Sequence, residues 1–156
     1  MRIQKSSRHR KITGDFGESL VLYLLSKTGF ECARVDHTGI DLIARRPDSR
    51  EVMGISVKSR CRSEGTEGTS ININKDDIKK AKKACTAFGC KPYFAMVVDE
   101  RGLIRVFLIS VKNMLKLRPG GIKVAAWSMS DREIQRYRDN RKVKWLELGM
   151  HEGRWW

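Results

Sequence analysis

No segment of this chain approaches the run of about eighteen apolar residues that a membrane-spanning helix needs. Residues 1–11 are basic and carry no apolar stretch, so they do not read as a secretory signal either. The expectation is a soluble, cytoplasmic protein. Metal-binding spacings are equally scarce. The four cysteines, Cys32, Cys61, Cys85 and Cys90, form no C-x-x-C pair and no zinc-knuckle spacing, and His9, His37 and His151 are scattered. A zinc centre is therefore not expected, and the thiols read as small apolar fillers in a reducing compartment. There is no internal repeat and no low-complexity tract. Acid is in short supply: 18 Asp and Glu against 32 Lys and Arg leave a net charge of +14. Such an excess attracts a polyanion, nucleic acid first and an anionic membrane second.

A length of 156 residues is one domain with a real core. After a basic segment of residues 1–12, a helix is expected from Thr13, whose hydroxyl can cap it, with Asp15 complementing the dipole and Gly29 ending it. Its apolar residues run nearly all round, which predicts packing on more than one side. Strands are expected at 31–35, 40–44 and 52–58, the last two joined as a hairpin through Pro47. Residues 59–70 read as a loop, with Ile71 and Ile73 in a short strand. Asn74 then caps a second helix, 75–88, closed by Gly89. A hairpin follows at 93–98 and 104–110. Beyond it come a turn at Pro119-Gly120-Gly121, a helix from 131 with the capping box Ser130-Asp131-Arg132-Glu133, and an edge strand at 143–148. The order is a mixed α/β (α+β) sheet flanked by helices.

Two stretches carry the chemistry. Gly39-Ile40-Asp41-Leu42-Ile43-Ala44 and Gly54-Ile55-Ser56-Val57-Lys58-Ser59-Arg60 put one acid and one lysine near the ends of adjacent apolar strands. Desolvating such groups is expensive, so a fold tends to retain them for a function. Ser56 and Lys58, two apart, share a face. Glu18 on the first helix is placed to close the site. Phosphodiester hydrolysis needs a divalent cation, two acids suffice to anchor a hydrated Mg²⁺, and a lysine can orient the water or steady the developing charge.

The order Gly14-Asp15-Phe16-Gly17-Glu18, then the Asp41 strand, then Ile55-Ser56-Val57-Lys58, resembles the PD-(D/E)xK nuclease superfamily, with the archaeal Holliday junction resolvases nearest. The resemblance continues through Ile71-Asn72-Ile73-Asn74-Lys75-Asp76-Asp77-Ile78, Phe88-Gly89-Cys90-Lys91-Pro92-Tyr93 and Phe94-Ala95-Met96-Val97-Val98, and covers residues 11–109. It implies a restriction-endonuclease-like fold for a nuclease-like core (13–110); a flexible basic arm (1–12) is expected before it and a C-terminal extension (111–156), without counterpart in the family, packed on it. It implies that Glu18 is the helix acid, Asp41 the metal-binding strand acid and Lys58 the catalytic lysine, with Mg²⁺ or Mn²⁺ as cofactor. Ser56 stands where the family has its second metal-binding acid. Glu51, Asp36, Glu64 and Glu67 are the nearby carboxylates available to replace it, Asp36 best placed and Glu51 of the wrong strand parity.

Arg8, Arg10, Lys11, Arg60, Lys75, Lys79, Lys80 and Lys83 are the expected phosphate contacts. Trp155-Trp156 is expected to pack on its own domain or on a twin subunit rather than to stack on unpaired bases, and the resemblance to resolvases implies a homodimer, since cutting a two-fold junction needs two sites. Three functions follow from these features: a metal-dependent endonuclease of double-stranded or branched DNA, a catalytically inactive DNA-binding module on the same fold, and an RNA-associated basic protein.

Overall fold

The computed structural model describes residues 4–117 and 124–151. The turn expected at Pro119-Gly120-Gly121 and the Trp155-Trp156 pair lie outside them. The first helix, α1 (His9–Lys27), begins four residues before Thr13. Thr13 does not cap it. Its hydroxyl donates to the His9 carbonyl (2.8 Å), one turn back, and Lys11 pairs with Asp15 at 3.0 Å across the next turn. Arginine, lysine and isoleucine are good enough helix formers to extend the element past a candidate cap, and an i,i+4 pair supports them. Asp15 and Glu18 consequently sit beyond the first turn. Gly29, with φ of +89°, closes the helix as expected.

Packing on several sides is not what α1 does. Gly17, Val21 and Leu25, one stripe at four-residue spacing, are buried, whereas Ile12 (56% exposed), Phe16 (44%) and Tyr23 (58%) face outward. The helix lies on one face of a six-stranded sheet in the order β1-β2-β3-β5-β6-β8. Its strands are β1 (Glu31–His37), β2 (Ile40–Arg45), β3 (Val52–Cys61), β5 (Lys91–Glu100), β6 (Leu103–Ser110) and β8 (Lys144–Gly149). All neighbours are antiparallel except β3 and β5, where Ile55 lies opposite Tyr93 and Lys58 opposite Met96. A parallel pair needs a crossover, supplied here through β4 (Ile71–Asn74) and α2 (Lys75–Phe88). Strand β3 runs three residues further than expected, to Cys61, so the loop begins later.

On the face opposite α1, helices α2, α3 (Val111–Leu117) and α4 (Asp131–Asp139) enclose a second core with the short ladder of β4 and β7 (Val124–Trp127). Its centre is aromatic: Trp127 stacks on Tyr137 at 3.9 Å, and Phe107 meets both rings at 5.7 and 5.5 Å. Residues after 110 thus complete the main sheet through β8 and fill the core beneath it. The Ser130 hydroxyl accepts from the Glu133 N–H, as the capping box predicts. Cys85, buried against Gly54 and Cys90, has its thiol pushed up to about 12 by burial and by Cys90, which leaves it a packing group.

Candidate active site

Two glycines set the geometry of the site. At the β1–β2 turn, Gly39 has φ of +103°, and a Cβ there would overlap the Lys80 carbonyl, lying 2.5 Å from its carbon and 2.9 Å from the Ala81 nitrogen. Only a residue without a side chain lets the hairpin press its backbone onto α2. On the other face, a Cβ on Gly17 would lie 2.9 Å from the Ser59 Cβ and overlap its hydroxyl, so α1 sits directly on β3. The first contact brings α2 to the end of β2, and the second brings the middle of α1 to the same neighbourhood.

Thr38, Asp41, Ser56, Lys58, Asp77 and Lys80 line the resulting cleft of about 270 Å³. The β2–β3 register ends at Leu42 opposite Ile55. Beyond it the Asp41 carboxylate takes over from the backbone, with Oδ2 accepting from the Val57 N–H at 2.6 Å. Burial holds this carboxyl above the ordinary aspartate range, against the Val57 N–H and the Lys58 ammonium, which pull it down. Lys58 Nζ lies 3.2 Å from Asp77 Oδ1, with both side chains about three-quarters buried. Asp77 is fixed in turn, because its own N–H donates to the Asn74 side chain at 2.8 Å.

Glu18 stands at the margin. It pairs with Arg34 of β1 at 3.2 Å, and its carboxyl is raised first by burial and next by the charge of Asp41. Ser56 is buried, at 7% exposure, beside Asp41 and Lys58 as the strand parity requires. None of the four carboxylates proposed to replace it lines the cleft. Glu51 is engaged elsewhere, by Lys91 and by the Tyr93 hydroxyl at 2.6 Å. Asp36 lies exposed on edge strand β1, and Glu64 and Glu67 follow the end of β3. The extra acid is Asp77. Sequence reasoning missed it because an acid in a helix's first turn ordinarily serves the dipole, and nothing local separates Asp77 from Asp76.

Asp41 and Glu18 are two neighbouring carboxylates, each desolvated and each a candidate to ionise more readily beside a cation. That donor chemistry fits a hydrated Mg²⁺ or Mn²⁺ carried on few protein oxygens. It does not make a protein cage: among the described residues no three His, Cys, Asp or Glu side chains gather closely enough to hold an ion. Of the expected phosphate contacts, Lys80 borders the cleft, and Lys75, Lys79 and Lys83 lie exposed on α2. Arg8, Arg10 and Lys11 open α1, and Arg60 lies near the end of β3. No helix among the described residues is long and apolar enough to cross a membrane.

No family model matches the chain, and no curated protein sequence does. Among solved structures the chain is similar to Hjc, a Holliday junction resolvase from the archaeal hyperthermophile Archaeoglobus fulgidus, at a TM-score of 0.53 and 19% identity. The match covers 70% of this chain and 86% of that one, and what the two share is the restriction-endonuclease-like fold, a mixed sheet flanked by helices.

Proposed function

We propose that the chain is a divalent-cation-dependent endonuclease that hydrolyses phosphodiester bonds in double-stranded or branched DNA. The observation that carries this reading is the convergence of Asp41, Lys58 and Asp77 in one cleft, with Glu18 beside it. Asp41 and Glu18 would hold the cation. When bound, that ion neutralises charge on the phosphate and makes water a better nucleophile at neutral pH. Lys58 projects its ammonium into the cleft and donates to the attacking water or to the phosphate oxygens. Asp77 keeps that ammonium aimed. The cationic surface of Lys75, Lys79, Lys80 and Lys83, with Arg8, Arg10, Lys11 and Arg60, holds the duplex by its phosphates without reading bases. A branched substrate is favoured by the likeness to Hjc, itself described as a Holliday junction resolvase. A homodimer suits such a substrate, and edge strand β8 offers its free edge for it, with Leu146 and Leu148 exposed on one face.

The test is cleavage of plasmid and four-way-junction DNA with Mg²⁺ or Mn²⁺. Asp41→Ala and Lys58→Ala should each lower the rate by about 10²–10⁴-fold while leaving binding within a few-fold. Activity that survives both changes places the chemistry elsewhere. A second reading, a DNA-binding module without hydrolysis, is favoured by Ser56 at the position of an acid and by the lack of a three-donor cluster among the described residues. It requires salt-sensitive DNA binding with no cleavage under any divalent cation.

A further inference from the structure

A second cavity, of about 460 Å³, opens where the start of α1 meets the end of β3, away from the Asp41 cleft. Lys5, Ser6, His9, Arg10, Thr13 and Arg60 are among its lining residues, and no carboxylate of the described residues is. Its walls are fixed. Lys5 Nζ donates to the Cys61 carbonyl at 3.0 Å, tying the segment before α1 to the end of β3, and Arg60 Nη1 donates to the Ser59 carbonyl at 2.8 Å. The 19-residue helix above has no side-chain cap and no acid in its first turn, so the positive end of its dipole is uncompensated. Ser6, Ser7 and Thr13 add hydroxyl side chains to the lining.

We propose that this pocket seats a backbone phosphate of the bound nucleic acid, one other than the phosphate being cut. Cations without counter-acids, a bare helix N-terminus and hydroxyls together make an anion cradle, and arginine matches phosphate oxygens in a fork. The position suits the same substrate. Residues 59–61 continue β3 directly from 56–58, about 10 Å along the strand at roughly 3.3 Å per residue. Ser59 packs toward α1 and Lys58 toward α2, so the two sites flank the end of β3 from opposite faces, and a backbone engaging both would pass around that end. The inference rests on the DNA-binding half of the proposed function and not on hydrolysis.

The experiment measures duplex binding by the full chain across a salt series, without divalent cation. Arg10→Gln with Arg60→Gln is compared with an equal loss of charge at Lys142 and Lys144, both exposed and outside either site. The pocket pair should weaken binding about tenfold or more and lower the slope of log K against log salt by about 1, the Lys142/Lys144 pair much less. Ser7→Asp supplies an independent arm: an acid at the helix start should hold or raise Tm while weakening DNA binding. Inorganic phosphate at matched ionic strength should displace DNA from the wild type more than from the pocket pair. Equal losses from both pairs, wild-type affinity in Ser7→Asp, or equal displacement by phosphate would each overturn the pocket. A wild type that binds no duplex sinks the proposed function as well, whereas a wild type that binds without cutting leaves the pocket standing.

Discussion

Replacing Gly39 by alanine tests whether the cleft depends on one backbone contact. Two costs add. A φ of +103° is poorly tolerated by a residue with a side chain, at about 1–2 kcal/mol. The added methyl would meet the Lys80 carbonyl carbon at 2.5 Å and the Ala81 nitrogen at 2.9 Å, where an ordinary contact is about 3.5–4.0 Å. Both neighbours are helix backbone, so the hairpin must withdraw by about 1 Å, and overpacking of that kind costs a further 1–3 kcal/mol or so. The expected loss is about 2–5 kcal/mol in urea unfolding, read by tryptophan fluorescence. Asp41 lies two residues on, and a shift of about 1 Å relative to Lys58 and Asp77 should lower cleavage by about 10²-fold. Gly14→Ala is the control. It stands in the same helix as Gly17, a Cβ there meets nothing within 4 Å, and alanine should stabilise it by up to about 1 kcal/mol. A Gly39→Ala protein with a wild-type unfolding midpoint and wild-type cleavage would refute the docking of the hairpin on α2 as the element that assembles the site.

The raised Asp41 carboxyl makes a signed pH prediction: folding favours its protonated form, so its ionised form costs stability above the folded pKa and that cost disappears as pH falls through it. Asp41→Asn should therefore be more stable than wild type at pH 8, with the difference in Tm shrinking toward pH 4; a difference that grows on acidification contradicts the burial of this group. Glu100 is 2% exposed, accepts from Arg105 at 2.8 Å and takes the Gly68 N–H at 3.0 Å, so Glu100→Ala should cost about 3 kcal/mol in urea unfolding, and a loss below about 1 would show the pair to be dispensable. Ser56→Glu adds a third carboxylate beside Asp41: Tm should fall in EDTA and recover with Mn²⁺ by more than the wild type gains, and an Mn²⁺-independent Tm argues against a cation at this position.

Much of this architecture is written locally. Asn74, Gly89 and the Ser130–Glu133 box each mark a helix end with side-chain chemistry that needs no tertiary context, and each appears in the structure. Strand parity correctly put Ser56 and Lys58 on one face. The failures are of a different kind. Thr13 looked like a cap because Ser and Thr favour that position, but Arg10, Lys11 and Ile12 extend the helix past it. Strand β7 and helix α3 carry weak periodicity and are held by the core they enclose, Trp127 on Tyr137 and Met114 among their neighbours. Edge strand β8 is expected at 143–148 from the sequence, but its place beside β6 comes from pairing across some forty residues, which no local pattern encodes.

Asp77 belongs to this second kind, and it bears on how a cleft lacking the usual acid at Ser56 can still work. With Asp41 alone, the ammonium of Lys58 would cancel its charge, and a cation would meet little net attraction. Asp77 pairs with that ammonium at 3.2 Å and offsets it, leaving Asp41 free to attract a cation, with Glu18 adding to that pull from the side. Under the proposed function, the arrangement separates two duties that one strand acid would otherwise share: charge balance passes to α2, and cation binding would stay with β2 and α1. It works only while α2 stays pressed against the Gly39 turn, so the charge distribution of the site and the packing of the hairpin are a single property of the fold.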